Sequence, residues 1–378
     1  MKILQISASY KPAFIYGGPI MSVSMLCEHL VKAGCEISMY TTTANGLDEL
    51  DVNPNHTVNI DNVTVTYFKR ITKDHTHFSP ALLKTVWKTA KEYDVIHIHA
   101  WWNLVSVLSC LIAVWRHVPV MVSARGTLSP YSFQNKNRKI KLLIHELLNK
   151  SLLKRCHFHV TSNRENEAVN NVLNPKSITN IPNFVKLSVC QPSVDHSTSS
   201  LLKLIFFSRI EEKKGLDILL NALSTVKIPF HLTIAGTGTD DYINDLRSLA
   251  VKIGIGDKIT WTGFVNETKF DLLQQHDLFI LPSYDENFGN AVIESLSVGT
   301  AVLISEGVGL AGYVQKNNLG WICQSNPLSI SGAINTIANQ RPDLLRIRNT
   351  APTTIRSNFD ESRLTKQYLN MYQQIISI

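Results

Sequence analysis

Two carboxylates eight residues apart, Glu286 and Glu294, lie in the segment LFILPSYDENFGNAVIESLSVGTAVLIS at 278–305. Its opening apolar run reads as a buried strand, Tyr284 to Gly289 as a loop, and the residues from about Asn290 as a helix. Glu286 then sits on the loop and Glu294 inside the helix. Gly289 lets the backbone approach a ligand closely, and the N–H groups of Asn290 and Ala291, at the helix start, form an anion site that a phosphate fits. Glu294 is the lone carboxylate among Ala291, Val292, Ile293 and Leu296. Leaving it without a hydrogen-bond partner costs several kcal/mol, so it needs a donor, and ligand hydroxyls can supply one. Taken singly, each acid also fits a plain role: a solvated loop carboxylate, or a helix residue satisfied by backbone. The pair is more informative than either member.

The elements that must position this segment follow from the hydrophobic pattern. At 378 residues the chain is long for one core and fits two domains. Apolar residues make up 44% and charged residues 18%, which excludes a largely disordered chain. Short β-branched runs alternate with helical patterns: KILQIS, CEISMYT, VIHIH, VPVMVSA and FHVTS in the first half, then LKLIFFS, FHLTIAG, KITWTG, LFILPS and AVLIS in the second. That rhythm predicts α/β architecture with parallel, doubly wound sheets. The boundaries drawn are a first domain over 1–184, a polar linker over 185–200, a second domain over 201–358, and a terminal helix over 359–378. In that helix Leu364, Tyr368, Met371, Tyr372 and Ile375 recur at helical spacing behind Asp360 as cap.

At this point the residues carry a resemblance. ENFGNAVIE resembles the E-x-F-G-x-x-x-x-E motif of family-four glycosyltransferases. LIFFSRIEEKKGLDILL at 204–220 is similar to that family's strand followed by G-R-x-x-x-x-K-G, with Ser208 where glycine is usual and with Arg209 and Lys214 as the phosphate-binding pair. Near a diphosphate, a guanidinium and an ammonium neutralise the leaving group as the glycosidic bond breaks. IAGTGTDD resembles the glycine turn of the same domain, which brings in Gly236. WTGFV resembles the loop that contacts the base, which brings in Phe264 and Val265. G-T-G lacks the third glycine of a dinucleotide fingerprint, which excludes a nicotinamide-dependent dehydrogenase.

In the first half, YGGP resembles the family's glycine-rich loop, where Gly17 and Gly18 would let backbone approach donor phosphates; a plain turn fits the same residues. DVIHIHAWWN is similar to the family's strand ending in histidine near the interdomain cleft. Strand alternation puts His97 and His99 on one face, and both a cleft role for His99 and a satisfied core histidine fit that placement. In SARGTLSPYS many relatives carry histidine before the glycine; here it is Arg125. Similar R-G-x-L-x-P segments occur among enzymes that build bacterial surface polysaccharide.

The resemblance implies a GT-B fold: two Rossmann-like domains facing across a cleft, with a C-terminal helix crossing back to the first. It implies a retaining glycosyltransferase that moves a hexose or N-acetylhexosamine from a UDP- or GDP-linked donor to a glycan acceptor, lipid-linked, in O-antigen or capsule synthesis. The expected catalytic residues are Glu286, Arg209, Lys214, His99 and Arg125. The donor-binding residues are Gly17, Gly18, Gly236, Phe264, Val265, Phe288, Gly289, Asn290, Ala291 and Glu294. A GT-B epimerase, a phosphorylase and a non-catalytic sugar-nucleotide binder are the alternatives. No cofactor is expected, and the absence of any D-x-D pair from the sequence removes the usual metal-diphosphate clamp, so no metal is expected either.

Charge and cysteines bear on location. No run of about 18 uncharged apolar residues occurs and the start lacks a secretory pattern, so a cytoplasmic protein is expected. The six cysteines show no C-x-x-C or zinc spacing and read as reduced, mostly packed thiols. Residues 1–184 carry 20 Lys and Arg against 12 Asp and Glu, a balance of +8, and the remainder carries −1. Much of the excess lies in NKNRKIKLLIHELLNKSLLKR at 135–155, whose apolar residues recur at helical spacing. An anionic membrane surface is the expected partner there, at the inner face of the cell membrane, with no nucleic acid; a core-packed helix with a solvated basic rim fits the same pattern.

Overall fold

The computed structural model describes residues 1–134, 150–188 and 201–377. Most of the basic run at 135–155, and residues 189–200 of the linker, lie outside the described residues. The chain divides into two compact units, Met1–Phe184 with Glu361–Ile378, and Val185–Asp360.

The first unit is built on an eight-stranded sheet. Its order is Ser177–Asn180, His157–Val160, Val120–Ser123, Val95–His99, Lys2–Ser7, Glu36–Thr42, Val63–Phe68 and Thr57–Ile60. Every neighbouring pair is parallel except the last, where Thr57–Ile60 returns antiparallel at the edge. The central strands are buried on both faces, so the polar Gln5, His97 and His99 lie inside along with their apolar neighbours. The order reverses between Lys2–Ser7 and Val95–His99: the chain first builds outward to Glu36–Thr42, then returns to the other side of its first strand. In such sheets the crevice beyond the carboxyl ends of the strands at the reversal is where ligands bind. His99 ends one of these two strands.

Helix Glu361–Ile376 belongs to this unit although it is last in sequence. Its buried stripe of Leu364, Tyr368, Met371, Tyr372 and Ile375 joins the core of Ile3, Met39, Met121 and Phe184. Each such apolar burial stabilises by about 1.5–3 kcal/mol, which ties the chain end to the first sheet.

The second unit has a six-stranded parallel sheet in the order Ile259–Gly263, Phe230–Ala235, Leu202–Phe207, Leu278–Leu281, Ala301–Ser305 and Gly320–Cys323. Here the reversal falls between Leu202–Phe207 and Leu278–Leu281. The loops leaving those two strands carry Arg209 and Lys214 on one side and Glu286 on the other. Among the described residues no helix is long and apolar enough to cross a membrane. Cys27, Cys35, Cys110, Cys156 and Cys323 are buried free thiols.

Candidate active site

In the second unit the two loops at the reversal are locked together by backbone. Tyr284 N donates to Lys213 O at 2.9 Å. Lys214 ends a short 3-10 turn, Glu212–Lys214, and Gly215 follows with φ 70°, where an added Cβ would lie 2.5 Å from the Pro282 carbonyl oxygen. That close approach is what delivers the Lys214 ammonium to the Glu286 carboxylate, to which it donates a hydrogen bond. The two side chains are 7% and 19% exposed. Burial pushes the Glu286 carboxyl up, but the ammonium of Lys214, with Lys213 and Arg209 nearby, outweighs it and holds the group below the usual carboxylate range. Glu286 is fixed on its other side by a bridge to the segment at Val308: Glu286 N donates to Gly307 O at 3.0 Å, and Gly309 N to Glu286 O at 2.8 Å.

Arg209 is half-exposed and its Nη1 donates to Glu211 Oε1 at 2.5 Å. Its loop is set by Gly236, whose φ is 147° and whose missing Cβ would stand 1.8 Å from Ser208 O. The glycine of the IAGTG turn is therefore required by the Arg209 loop itself. Gly289 has φ 94° and caps helix Asn290–Ser297, so that the helix starts directly after the loop that holds Glu286. Asn290 and Ala291 are partly exposed at this end.

Glu294 already has the donor its surroundings demand. Lys269 Nζ lies 2.7 Å from Glu294 Oε1. Sequence reasoning missed Lys269, because it lies 25 residues upstream on helix Lys269–Gln274, with no motif marking it. Of the other residues expected to bind donor, Phe264 is 68% exposed and Val265 partly so. Phe288 is different: its side chain is buried against Phe359, with ring centroids 6.2 Å apart, so what it can offer a ligand is backbone.

In the first unit, Gly17 has φ 72° and caps helix Gly18–Lys32, with Pro19 in the first turn. Arg125 follows strand Val120–Ser123 with φ 52°, and its guanidinium gathers the neighbouring pieces. Nε donates to His99 Nδ1 at 3.3 Å, and Nη1 donates to Ser22 Oγ at 3.0 Å and Asn183 Oδ1 at 3.2 Å. His97 and His99 do share a face, with ring centroids 4.2 Å apart, and both are buried. Burial first, then the neighbouring histidines and Arg125, hold both rings well below the ordinary imidazole value. The glycine loop's helix, His99 and Arg125 thus form one cluster.

Glu165 also escaped the sequence reading. It sits in an S-x-x-E capping box, whose Ser162 Oγ accepts from Glu165 N at 3.1 Å. Its carboxylate accepts from Thr161 N at 2.8 Å and from Gly126 N at 2.9 Å, pinning the backbone next to Arg125. The capping signature was readable; its reach to Gly126 was not.

Two family descriptions match the chain, one on each half. Residues 16–189 match Glycosyltransferase Family 4 and residues 197–354 match Glycosyl transferases group 1. The chain is a family-four-like glycosyltransferase of GT-B fold. An uncharacterized glycosyltransferase of Methanocaldococcus jannaschii is 23% identical to it over 99% of this chain and 98% of that one. A GDP-mannose:cellobiosyl-diphosphopolyprenol alpha-mannosyltransferase of Xanthomonas oryzae is 22% identical over 79% and 78%. Among solved structures, Anabaena HepE in complex with UDP and glucose superposes with a TM-score of 0.77 at 18% identity, covering 99% of this chain and 100% of that one. Both units of the glycosyltransferase are thus Rossmann-like domains of the GT-B kind.

Proposed function

We propose that the protein is a retaining, metal-independent hexosyl- or N-acetylhexosaminyltransferase, using a UDP- or GDP-linked donor and a lipid-linked glycan acceptor in surface-polysaccharide synthesis. The observation that carries this reading is the cluster at the reversal of the second sheet, where Lys214, Arg209 and the N-terminus of helix Asn290–Ser297 surround Glu286. Two cations and a set of backbone N–H groups are suited to a diphosphate whose negative charge grows as the bond to the sugar breaks. Glu286 orients the donor sugar, and Glu294 accepts the ribose hydroxyls. As the C1–O bond to the diphosphate breaks, the acceptor oxygen attacks the same face and its proton passes to the departing phosphate oxygen, which preserves the anomeric configuration. The UDP-bound neighbour and the diphosphopolyprenol-using relative support the choice of donor and acceptor.

A seat at an anionic membrane is part of the same proposal. Trp115 is 70% exposed, with Trp87 and Leu111 exposed beside it, and the two indoles meet edge to face at 6.0 Å. Arg116, Lys91 and Arg155 line the groove they form. Indole and apolar surface ringed by cations suits the interface of an anionic bilayer.

Incubation with UDP- and GDP-sugars tests the proposal. Transfer that requires an acceptor and yields product with the donor's anomeric configuration by NMR is expected, and EDTA should leave the rate nearly unchanged. Release of free nucleotide with an epimerised sugar, donor binding without turnover, or activity lost to EDTA and restored by magnesium or manganese would each overturn the corresponding part. Sedimentation with anionic vesicles should be strong at low salt and weakened by replacing Lys136, Arg138, Lys139 and Lys141 with Gln. Equal binding to neutral vesicles would remove the membrane seat.

A further inference from the structure

The first unit holds an unbroken chain of buried side-chain hydrogen bonds that starts at Arg125 and passes through the terminal helix. Arg125 Nε lies 3.3 Å from His99 Nδ1, and His99 Nε2 lies 2.7 Å from Gln5 Oε1. Gln5 Nε2 lies 3.2 Å from the Tyr372 hydroxyl, which is 2.6 Å from His97 Nδ1. His97 Nε2 lies 2.6 Å from Ser123 Oγ, Ser123 Oγ lies 2.7 Å from His159 Nδ1, and His159 Nε2 ends the chain 2.8 Å from the Ile181 carbonyl oxygen. Gln5, Tyr372, Ser123 and the three histidines are all buried.

The two ends of this chain differ in kind. A guanidinium only donates hydrogen bonds and a carbonyl only accepts them. His99 Nδ1 must therefore be the bare nitrogen and its Nε2 the protonated one. Gln5 then presents its oxygen to His99 and its amide N–H to Tyr372, so the tyrosine hydroxyl donates to His97 Nδ1. His97 Nε2–H donates to Ser123, Ser123 to His159 Nδ1, and His159 Nε2–H to Ile181. Every bond is satisfied in this direction. Reversal would set a proton on His99 Nδ1 against the Arg125 N–H at one end, and a bare nitrogen against a carbonyl at the other.

We propose that Arg125 and Tyr372 are the positioning residues of a single one-way hydrogen-bond chain, which fixes His97, His99 and His159 as Nε2-protonated tautomers and makes the terminal helix part of the machinery that aims the Arg125 guanidinium. This rests on the reading that Arg125 and His99 belong to the reaction site. Histidine at position 125 could accept as well as donate, and the chain would then lose its direction at that end. With arginine there, His99 serves as a fixed acceptor that holds the guanidinium by Nε, and it is not a proton carrier. Tyr368 stands off the line: its hydroxyl lies 3.0 Å from His159 Nε2, beside the carbonyl that already receives that proton.

The test uses the full chain labelled with 15N-histidine, with imidazole nitrogen–proton correlations assigned by single His→Gln variants. At pH 7.5, His97, His99 and His159 should all carry the proton on Nε2. A proton on Nδ1 of His99, or a doubly protonated ring, overturns the proposal without reference to any substrate. Tyr372→Phe should disturb the His97 and His99 signals and lower kcat at least fivefold while donor KM stays within twofold. Tyr368→Phe should leave the tautomers and the rate as they are. Arg125→Lys should keep the His99 tautomer and Arg125→Met should lose it. Unchanged His97 and His99 signals in Tyr372→Phe would refute the chain. Changed signals with an unchanged rate would refute its role in positioning. Because the tautomers are read without donor or acceptor, they stand or fall separately from the proposed transferase activity.

Discussion

Lys269 Nζ lies 2.7 Å from Glu294 Oε1, and the two side chains are only 14% and 12% exposed. The carboxylate is thus paired within the fold, and in the proposed function its remaining lone pairs are what accepts the donor's ribose hydroxyls. Removing one partner of a largely buried pair leaves the other charge uncompensated, which costs more than the pair itself contributes. Lys269→Met should therefore raise the donor KM by about tenfold and lower the unfolding temperature by several degrees, given a loss of about 2–3 kcal/mol. Calorimetry and initial rates check this. A variant with wild-type KM would show that Lys269 serves the fold alone.

The contact between Lys214 and Glu286 leads to a second expectation. Burial acts on Glu286 more strongly than any single neighbour, and the cations reverse the outcome. The sign follows directly: with its folded value depressed, the carboxylate contributes stability that is fully present above the usual carboxylate range and is lost as pH falls through the folded value. Lys214→Ala removes the principal opposing charge, so the acid limb of the rate profile should move to higher pH and turnover should fall at least about tenfold. Glu294→Ala should lower turnover at least about tenfold as well. Both variants should keep the wild-type circular dichroism spectrum, and wild-type rates in them would sink the assignment of these residues.

Two glycines should respond in opposite directions. A methyl at Gly236 would sit 1.8 Å from Ser208 O, in a backbone conformation that L-residues rarely adopt, so the Arg209 loop must shift. Gly332 lies exposed inside helix Pro327–Asn339, and a methyl there meets nothing within 4 Å. Gly236→Ala should cost several kcal/mol and abolish donor binding. Gly332→Ala should stabilise by about 0.5–1 kcal/mol, since alanine loses less backbone freedom in a helix. Thermal unfolding of the two variants decides both.

Much of this architecture could be read from the chain because the relevant signals are local. The strand runs, the loop from Tyr284 to Gly289 and the helix starting at Asn290 each follow from a few adjacent residues, and the parallel sheets follow from their alternation. The partners of the charged groups could not be read, since they depend on which loops the fold brings together. Lys269 reaches Glu294 across 25 residues, and Tyr372 reaches His97 across 275. Greasy spacing placed Tyr368 and Tyr372 on the buried face of the last helix but could not say that their hydroxyls meet histidines. Phe288 shows the opposite limit: a motif position suggested ligand contact, and packing against Phe359 takes its side chain.

Three of the buried histidines of the first unit, His97, His99 and His159, make stability depend on pH in a definite window. His97 and His99 are held well below the ordinary imidazole value, by burial first and then by one another, His159 and Arg125; burial and Arg125 bring His159 down to about 3, against the pull of the Ile181 carbonyl. The hydroxyls of Tyr368 and Tyr372 and the charge on Arg125 face these rings, and no carboxylate bonds to them among the described hydrogen bonds. In the unfolded chain each imidazole takes up a proton near pH 6.5, whereas the folded rings do not. The unfolded state therefore binds more protons below that pH, and stability that is complete above pH 6.5 is lost as the pH falls. Each ring contributes up to about 1.4 kcal/mol per pH unit, or about 4 kcal/mol for three. Lowered values at His77 and His157 add in the same direction. Glu286 acts only below the carboxylate range, so the interval from pH 6 to 5 belongs to the histidines. In calorimetry, the transition of the first unit should fall by about 8–16 °C over that interval. Replacing His159 by Gln should reduce the slope by about a fifth to a quarter, since His77 and His157 contribute beside the three rings. A transition temperature flat from pH 7 to pH 5 would mean that the rings are protonated in the folded protein, which is incompatible with the direction of the hydrogen bonds around them.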